Sequence, residues 1–382
     1  MSKIDTLLIH GAGDKETYAR EVNVPVFLTA TFRQNSFEDH SGYGYARGNN
    51  PTRESLEHVI AQLEGGKHAF AFASGMAATS AALSLFKSGD TILVAGMVYG
   101  GTYGVFEKIF SGFGIKKKII DVNKAEDIKE YISPDVKGIF FESPVNPTLK
   151  VNDIRGIVSV AKEYGLLTIA DNTFMSPLLQ RPLELGVDVV VESATKYLGG
   201  HSDIIAGIAA TNDDALAERL HGIQALQGGI IQPFDAYLLI RSIKTLGVRV
   251  RQQVKNAEAI AAFLSKHPAV AAVHYPGLEN DPGHDLQLSQ AENGGAMLSF
   301  ELNSGYCVKK FLDAVKIFTL GASLGGVESL IGHPATTSHR GIPEEERKIF
   351  GISDSLIRVS PGIEDQTELI NDISQALEAA EK

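Results

Sequence analysis

The sequence predicts an α/β protein, with a large, mostly parallel sheet followed by a smaller α+β C-terminal domain. Three observations carry this. From residue 51 to about 245, short apolar runs alternate with amphipathic helical stretches, the pattern of a parallel sheet covered on both faces. After about residue 250 the alternation gives way to short strands, a Gly-rich loop and a last long helix. The length, 382 residues, exceeds what one small core fills. The expected division is an N-terminal arm over 1–50, an α/β domain over 51–245 and an α+β domain over 246–382.

Taken in order, residues 1–50 hold no helical period and end in the Gly- and Asn-rich stretch from Gly42 to Pro51, so an extended arm is expected. Thr52 is placed to cap a helix whose Leu56, Val59, Ile60 and Leu63 share one face, and Gly65-Gly66 ends it. A strand over 69–73 turns at Ser74-Gly75-Met76 into an Ala-rich helix. Strands are then expected at 91–95, 138–142, 166–170 and 187–191, with helices near 102–110, 153–164 and 214–220. Past the boundary the pattern predicts a helix over 253–266 and strands at 271–274 and 296–301. A Gly-rich loop at 321–326, a strand at 356–360 and a helix over 366–380 follow.

Composition narrows the function. A net charge of −11 argues against a general nucleic-acid binder, which needs a basic face. No uncharged apolar run is long enough to cross a bilayer, and residues 1–16 lack a signal-peptide core. Cys307 is the single cysteine, so no intrachain disulfide can form, and a cytoplasmic protein is expected. His333 and His339 lie six apart with no cysteine or acidic cluster beside them, so no metal site is expected, and their expected role is packing or hydrogen bonding beside the carboxylate site. No Gly-x-Gly-x-x-Gly follows a first strand, which excludes a plain dinucleotide binder.

Open parallel sheets bind ligands beyond the carboxyl ends of their strands. Three polar groups fall there. The Ser74-Gly75-Met76 turn opens a helix and offers free N–H groups at a positive dipole end, as a phosphate wants. Asp171 follows a buried strand and can hold a protonated ring nitrogen. Ser193 and Thr195 add hydroxyls beside Lys196, an amine able to form an imine with an aldehyde. Each is ordinary alone: a cap, a turn residue, a surface lysine. Together and in this order they describe a pyridoxal 5'-phosphate site.

The run Ser193-Ala194-Thr195-Lys196-Tyr197, followed by Gly199-Gly200-His201-Ser202-Asp203, resembles the cofactor-lysine motif of the trans-sulfuration (Cys/Met metabolism) family of fold-type I pyridoxal-phosphate enzymes. The similarity extends over nearly the whole chain. It includes Tyr45-Ala46-Arg47, Asn50-Pro51-Thr52, Ala73-Ser74-Gly75-Met76, Val98-Tyr99-Gly100-Gly101-Thr102 and Glu142-Ser143-Pro144 with Asn146-Pro147. It continues through Ala170-Asp171-Asn172-Thr173, Tyr275-Pro276-Gly277, Ser323-Leu324-Gly325-Gly326, His333-Pro334-Ala335 and Leu356-Ile357-Arg358.

This resemblance implies a fold-type I architecture with a seven-stranded-type sheet, and a role for each matching residue. Lys196 would hold the cofactor and shuttle protons. Asp171 would pair with the pyridine nitrogen, and Gly75, Met76, Ser193 and Thr195 would hold the phosphate. Tyr99 would stack on the ring and act as acid or base near the leaving group. Asn146 would lie near the ring hydroxyl, while Ser323 and Arg358 would hold the substrate carboxylate. Tyr45 and Arg47 would reach the phosphate of a neighbouring subunit, which implies a homotetramer built from dimers that share active sites.

The implied substrate is a small sulfur-containing amino acid of the cystathionine, methionine or homocysteine type, and the implied activity a C–S lyase, releasing a keto acid, ammonia and a thiol by α,γ-elimination. A γ-replacement enzyme (cystathionine γ-synthase or O-acylhomoserine sulfhydrylase) is the alternative, and a β-lyase a further one. Members acting on cystathionine commonly carry charged residues where this chain has Gly44, Gly104 and Ala322, which favours a shorter or less polar side chain such as that of methionine or homocysteine. Methionine γ-lyases typically have a Cys where this chain has Gly101 and an Asp at Gly326. The segment from His333 to His339 resembles that of homoserine-ester sulfhydrylases.

Overall fold

Two sheets organise the chain, in a computed structural model that describes residues 3–12, 21–39, 41–122 and 124–382. The first has seven strands: β1 (His68–Phe72), β2 (Thr91–Ala95), β3 (Lys116–Ile120), β4 (Val136–Glu142), β5 (Leu167–Asp171), β6 (Val189–Glu192) and β7 (Gly207–Thr211). Their order is β1-β7-β6-β5-β4-β2-β3, and β7 alone runs against its neighbours. Thr-Ile-Leu-Val-Ala of β2 and Gly-Ile-Ala-Ala-Thr of β7 are buried along their full length, as expected of strands covered on both faces. The carboxyl ends of β1, β6, β5, β4 and β2 therefore open on one edge of the sheet. There Glu142 lies opposite Asp171, and Asp171 opposite Val191.

The second sheet comprises β8 (Val270–His274), β9 (Leu298–Leu302), β10 (Thr319–Leu320), β11 (Leu330–Gly332) and β12 (Leu356–Ser360), ordered β10-β11-β12-β9-β8. Its core packs Phe300 edge-on against Phe311, with Ile331, Ile357, Val359 and Leu369 fully covered. The two sheets are tied by side chains. Ser299 Oγ on β9 donates to Pro147 O at 2.7 Å, and Arg358 Nη1 on β12 donates to Asn146 Oδ1 at 3.0 Å, both acceptors lying just past the end of β4.

Two expectations need correction. The N-terminal stretch was expected to lack a helix, yet Lys3–His10 is helical and buries Ile4 and Leu8 in the core of the first sheet. About two amphipathic turns are too few for the period to stand out. The expected arm also includes residues 13–20 and 40, which lie outside the described residues. Thr52 does not cap the helix Pro51–Leu63; Asn50 does, accepting from Thr52 N and Arg53 N. The Thr52 hydroxyl instead donates to Pro25 O (2.8 Å) and accepts from Phe27 N (3.0 Å), pinning the arm to the helix start. Strands β3 and β7 and the helices Pro233–Ile243 and His284–Gln290 were not anticipated. Among the described residues no helix is long and apolar enough to cross a membrane.

Candidate active site

The phosphate cradle forms where β1 turns into the helix Gly75–Leu83. Ser74 caps that helix, its Oγ accepting from Ala77 N at 3.1 Å. The N–H groups of Gly75 and Met76 then lie in the first turn, with no earlier carbonyl to reach, and among the described residues neither finds an acceptor. Gly75 lies against the end of β6: a Cβ there would sit 2.8 Å from Ser193 Cβ and 2.9 Å from Ser193 Oγ. Gly207, at the start of β7, has no room for a side chain either, because its Cβ would meet Ser74 O at 2.2 Å. These two glycines let three backbones converge, and Ser193 N is held by Thr173 Oγ1 at 2.8 Å. Thr195 differs from the expectation in part. It lies beside the cradle, but its hydroxyl donates to Ala206 O and accepts from Ala206 N, so it braces the lysine segment.

Asp171 ends β5 with its carboxyl turned to the cleft. Thr173 N donates to Oδ1 at 3.0 Å, and no cation lies beside it among the described residues. Burial pushes this carboxyl above its usual range, against the opposing Thr173 contacts. A cationic ring nitrogen would relieve that penalty. Lys196 Nζ donates to Ser323 Oγ at 2.7 Å. Burial first, and the Arg358 charge second, lower this amine from its usual 10.5 to about 8.

Arg358 comes from β12 on the second sheet. Its Nη1 donates to Asn146 Oδ1 at 3.0 Å and its Nη2 to Ser323 O at 2.9 Å, which fixes the plane of the fork. Ser323 sits at φ 97°, a conformation rare for a residue with a side chain, and Gly325 (φ 76°) packs against Tyr197 N. Asn146 thus has Arg358 as its side-chain partner, a contact the sequence does not show. Tyr99 lies over Met76: a Cβ on Gly101 would meet Tyr99 Cε1 at 2.4 Å and Met76 Sδ at 2.8 Å.

One residue of this site, Glu142, escaped sequence reasoning, and a second, His339, lies where it is expected, packed beside Arg358. Glu142 accepts from Tyr99 N and Asn146 N, and burial together with Asp171 pushes its carboxyl up. The motif around it was visible, but its partners were not. His339 is completely buried near Val98, Asn146 and Arg358, and its ring is lowered from 6.5 to about 3 by burial first and then Arg358. Tyr45 and Arg47 are not brought to Lys196 within the chain. Arg47 stacks over the Tyr45 ring at 5.6 Å and donates to Ala225 O, and both residues are exposed.

The residues thus fit pyridoxal phosphate: paired N–H groups for its phosphate, a buried carboxylate without a cation for its ring, and a buried amine of lowered basicity for its aldehyde. The sequence pattern described as "Cys/Met metabolism PLP-dependent enzyme" matches residues 5–378. A cystathionine gamma-lyase of Bacillus subtilis (strain 168) is 47% identical over 98% of this chain and 99% of its own length. A cystathionine beta-lyase of Lactococcus lactis subsp. cremoris (strain MG1363) is 45% identical over 99% and 100%. The solved structure of cystathionine gamma-lyase from Lactobacillus plantarum complexed with L-serine superimposes with a TM-score of 0.97 at 40% identity, covering 99% of each chain.

Proposed function

Because this chain belongs to the Cys/Met metabolism PLP-dependent enzyme family, a family of fold-type I enzymes, we propose that it is a C–S lyase that binds pyridoxal phosphate and cleaves a small sulfur-containing amino acid to a keto acid, ammonia and a thiol. The observation that carries this reading is the Lys196 amine, held 2.7 Å from Ser323 Oγ, while the carbonyl of the same Ser323 accepts from the fork of Arg358 at 2.9 Å.

The cofactor, when bound, supplies an electron sink for the pair left on carbon when a proton departs. The chain's residues supply the rest. Gly75 N–H, Met76 N–H and Ser193 Oγ would hold the phosphate, and Asp171 would pair as a carboxylate with the ring nitrogen. Arg358 takes the substrate carboxylate, fixing the Cα–H bond toward Lys196. Nζ, with its lowered basicity, removes the α-proton and carries protons between adjacent carbons. The Tyr99 hydroxyl is placed to give a proton to the departing sulfur. Gly44 and Gly104 have nothing within 4 Å of a Cβ position and bring no charge, which supports a substrate side chain without a charged far end.

The reading includes a homotetramer whose paired chains share active sites. Support comes from Tyr45 and Arg47, which lie on the surface and serve nothing in their own chain's site. It also includes a cytoplasmic location, which suits a single unpaired cysteine.

The test offers methionine, homocysteine, cystathionine, cysteine and an O-acylhomoserine with sulfide. Keto acid from methionine or homocysteine alone is the expected result. From cystathionine, 2-oxobutanoate marks cleavage at the γ-carbon and pyruvate cleavage at the β-carbon. Product formed only from the ester plus a nucleophile would replace the lyase reading by γ-replacement.

A further inference from the structure

Glu142 has no task in the scheme above, yet it is 5% exposed and divides its two oxygens between two loops. Oε1 accepts the N–H of Tyr99 at 2.7 Å and Oε2 the N–H of Asn146 at 3.0 Å. The Asn146 side chain accepts from Arg358 Nη1, Arg358 Nη2 donates to Ser323 O, and Ser323 Oγ accepts from Lys196 Nζ. One hydrogen-bonded chain thus runs from the tyrosine through Glu142 to the substrate fork and the lysine.

We propose that Glu142 is a positioning residue: by holding both loop N–H groups at once it sets the distance between the Tyr99 ring and the Arg358 fork. The inference rests on the reading that Arg358 receives the substrate carboxylate. The choice of an acid supports it. Placing a carboxyl beside Asp171 carries a desolvation and like-charge penalty. The two N–H donors work against that penalty and favour the carboxylate form, which offers two acceptor oxygens and no donor. A glutamine must turn an N–H₂ toward one of the two loops, and an aspartate is one methylene too short to span them. If the contact with Tyr99, the shorter of the two, is kept, the loss falls on Asn146 and so on Arg358.

The test measures equilibrium binding of glycine to the holoenzyme, read from cofactor absorbance without turnover. In Glu142→Gln the dissociation constant is expected to rise about tenfold, the loss of one hydrogen bond to a buried group, while cofactor content stays stoichiometric. Asn146→Ala should give a similar rise, and the double variant no more than Asn146→Ala alone. A purely structural role would lower the melting temperature and leave glycine affinity alone. Glycine affinity within twofold of wild type in Glu142→Gln, or additive losses in the double variant, overturns the proposal. Should Glu142→Gln fail to hold cofactor, Glu142→Asp carries the same measurement, with the same rise expected and an unchanged constant overturning it. Wild-type holoenzyme that ignores glycine would sink the Arg358 reading instead.

Discussion

Burial decides how the single amine of this site behaves. Lys196 is lowered to about 8, so near neutral pH a useful fraction is unprotonated and able to attack an aldehyde. The rate at which cofactor-free protein takes up pyridoxal phosphate, followed by absorbance, is expected to climb with pH and level off above about 8. Lys196→Ala should abolish turnover and borohydride-fixed cofactor, with the melting transition retained. His339 gives a second pH prediction, of opposite character. Its folded ring resists protonation down to about 3, whereas the unfolded ring takes a proton near 6.5. The unfolded state therefore gains protons first, and stability falls as pH drops below about 6.5, by up to about 1.4 kcal/mol per pH unit. His339→Asn removes that slope. Its stability relative to wild type, from denaturant unfolding, should improve by about 2 kcal/mol between pH 7 and pH 5. Asp171, Lys196, Ser323 and Arg358 were readable as residues because each sits in a short motif. Glu142 was not, since what defines it is a partner on another loop, Tyr99 N, 43 positions away; for His339 a packing role beside the carboxylate site was legible, but not the completeness of its burial.

At the level of elements, the cradle depends on how closely the helix Gly75–Leu83 approaches β6. Gly75→Ala puts a methyl 2.8 Å from Ser193 Cβ, and either the helix or the strand end must give way. The expected result is a loss of about 1–3 kcal/mol in stability, together with weaker cofactor binding measured by titration. Unchanged affinity would mean that the first turn is not where the phosphate sits. Most elements of the large sheet were legible, because Ile-Phe-Phe and Val-Val-Val runs admit few other readings. Two strands were not. In β3, Lys116, Lys117 and Lys118 mask the pattern, as lysines do on a sheet edge, and β3 is the edge strand here. In β7, Gly-Ile-Ala-Ala-Thr is short and small, and its place between β1 and β6 comes from long-range pairing. The cap moved from Thr52 to Asn50 for a similar reason: the arm at Pro25 and Phe27 claims the threonine hydroxyl.

For the whole molecule, the prediction concerns sharing. Arg47→Ala is expected to weaken cofactor affinity about 10- to 100-fold, the worth of a charge-assisted contact to phosphate. Lys196→Ala and Arg47→Ala proteins, each inactive or nearly so, should recover activity when unfolded together and refolded. In a random mixture of pairs, about a quarter of the sites combine an intact lysine with an intact arginine from the other chain. No recovery on mixing would confine the site to one chain.

The order of motifs along the chain, by itself, determined the α/β architecture and the family, and singled out Lys196 and Asp171 as the candidate amine and carboxylate of the site. Such features are local: a strand's apolar run, the turn that follows it and the side chain at its end are neighbours in sequence. Only the tertiary structure decided that Asn146 serves Arg358, that Glu142 spans two loops and that His339 is sealed from water. Those facts are set by distance in space between segments up to some 200 residues apart, and neither periodicity nor spacing carries such distances.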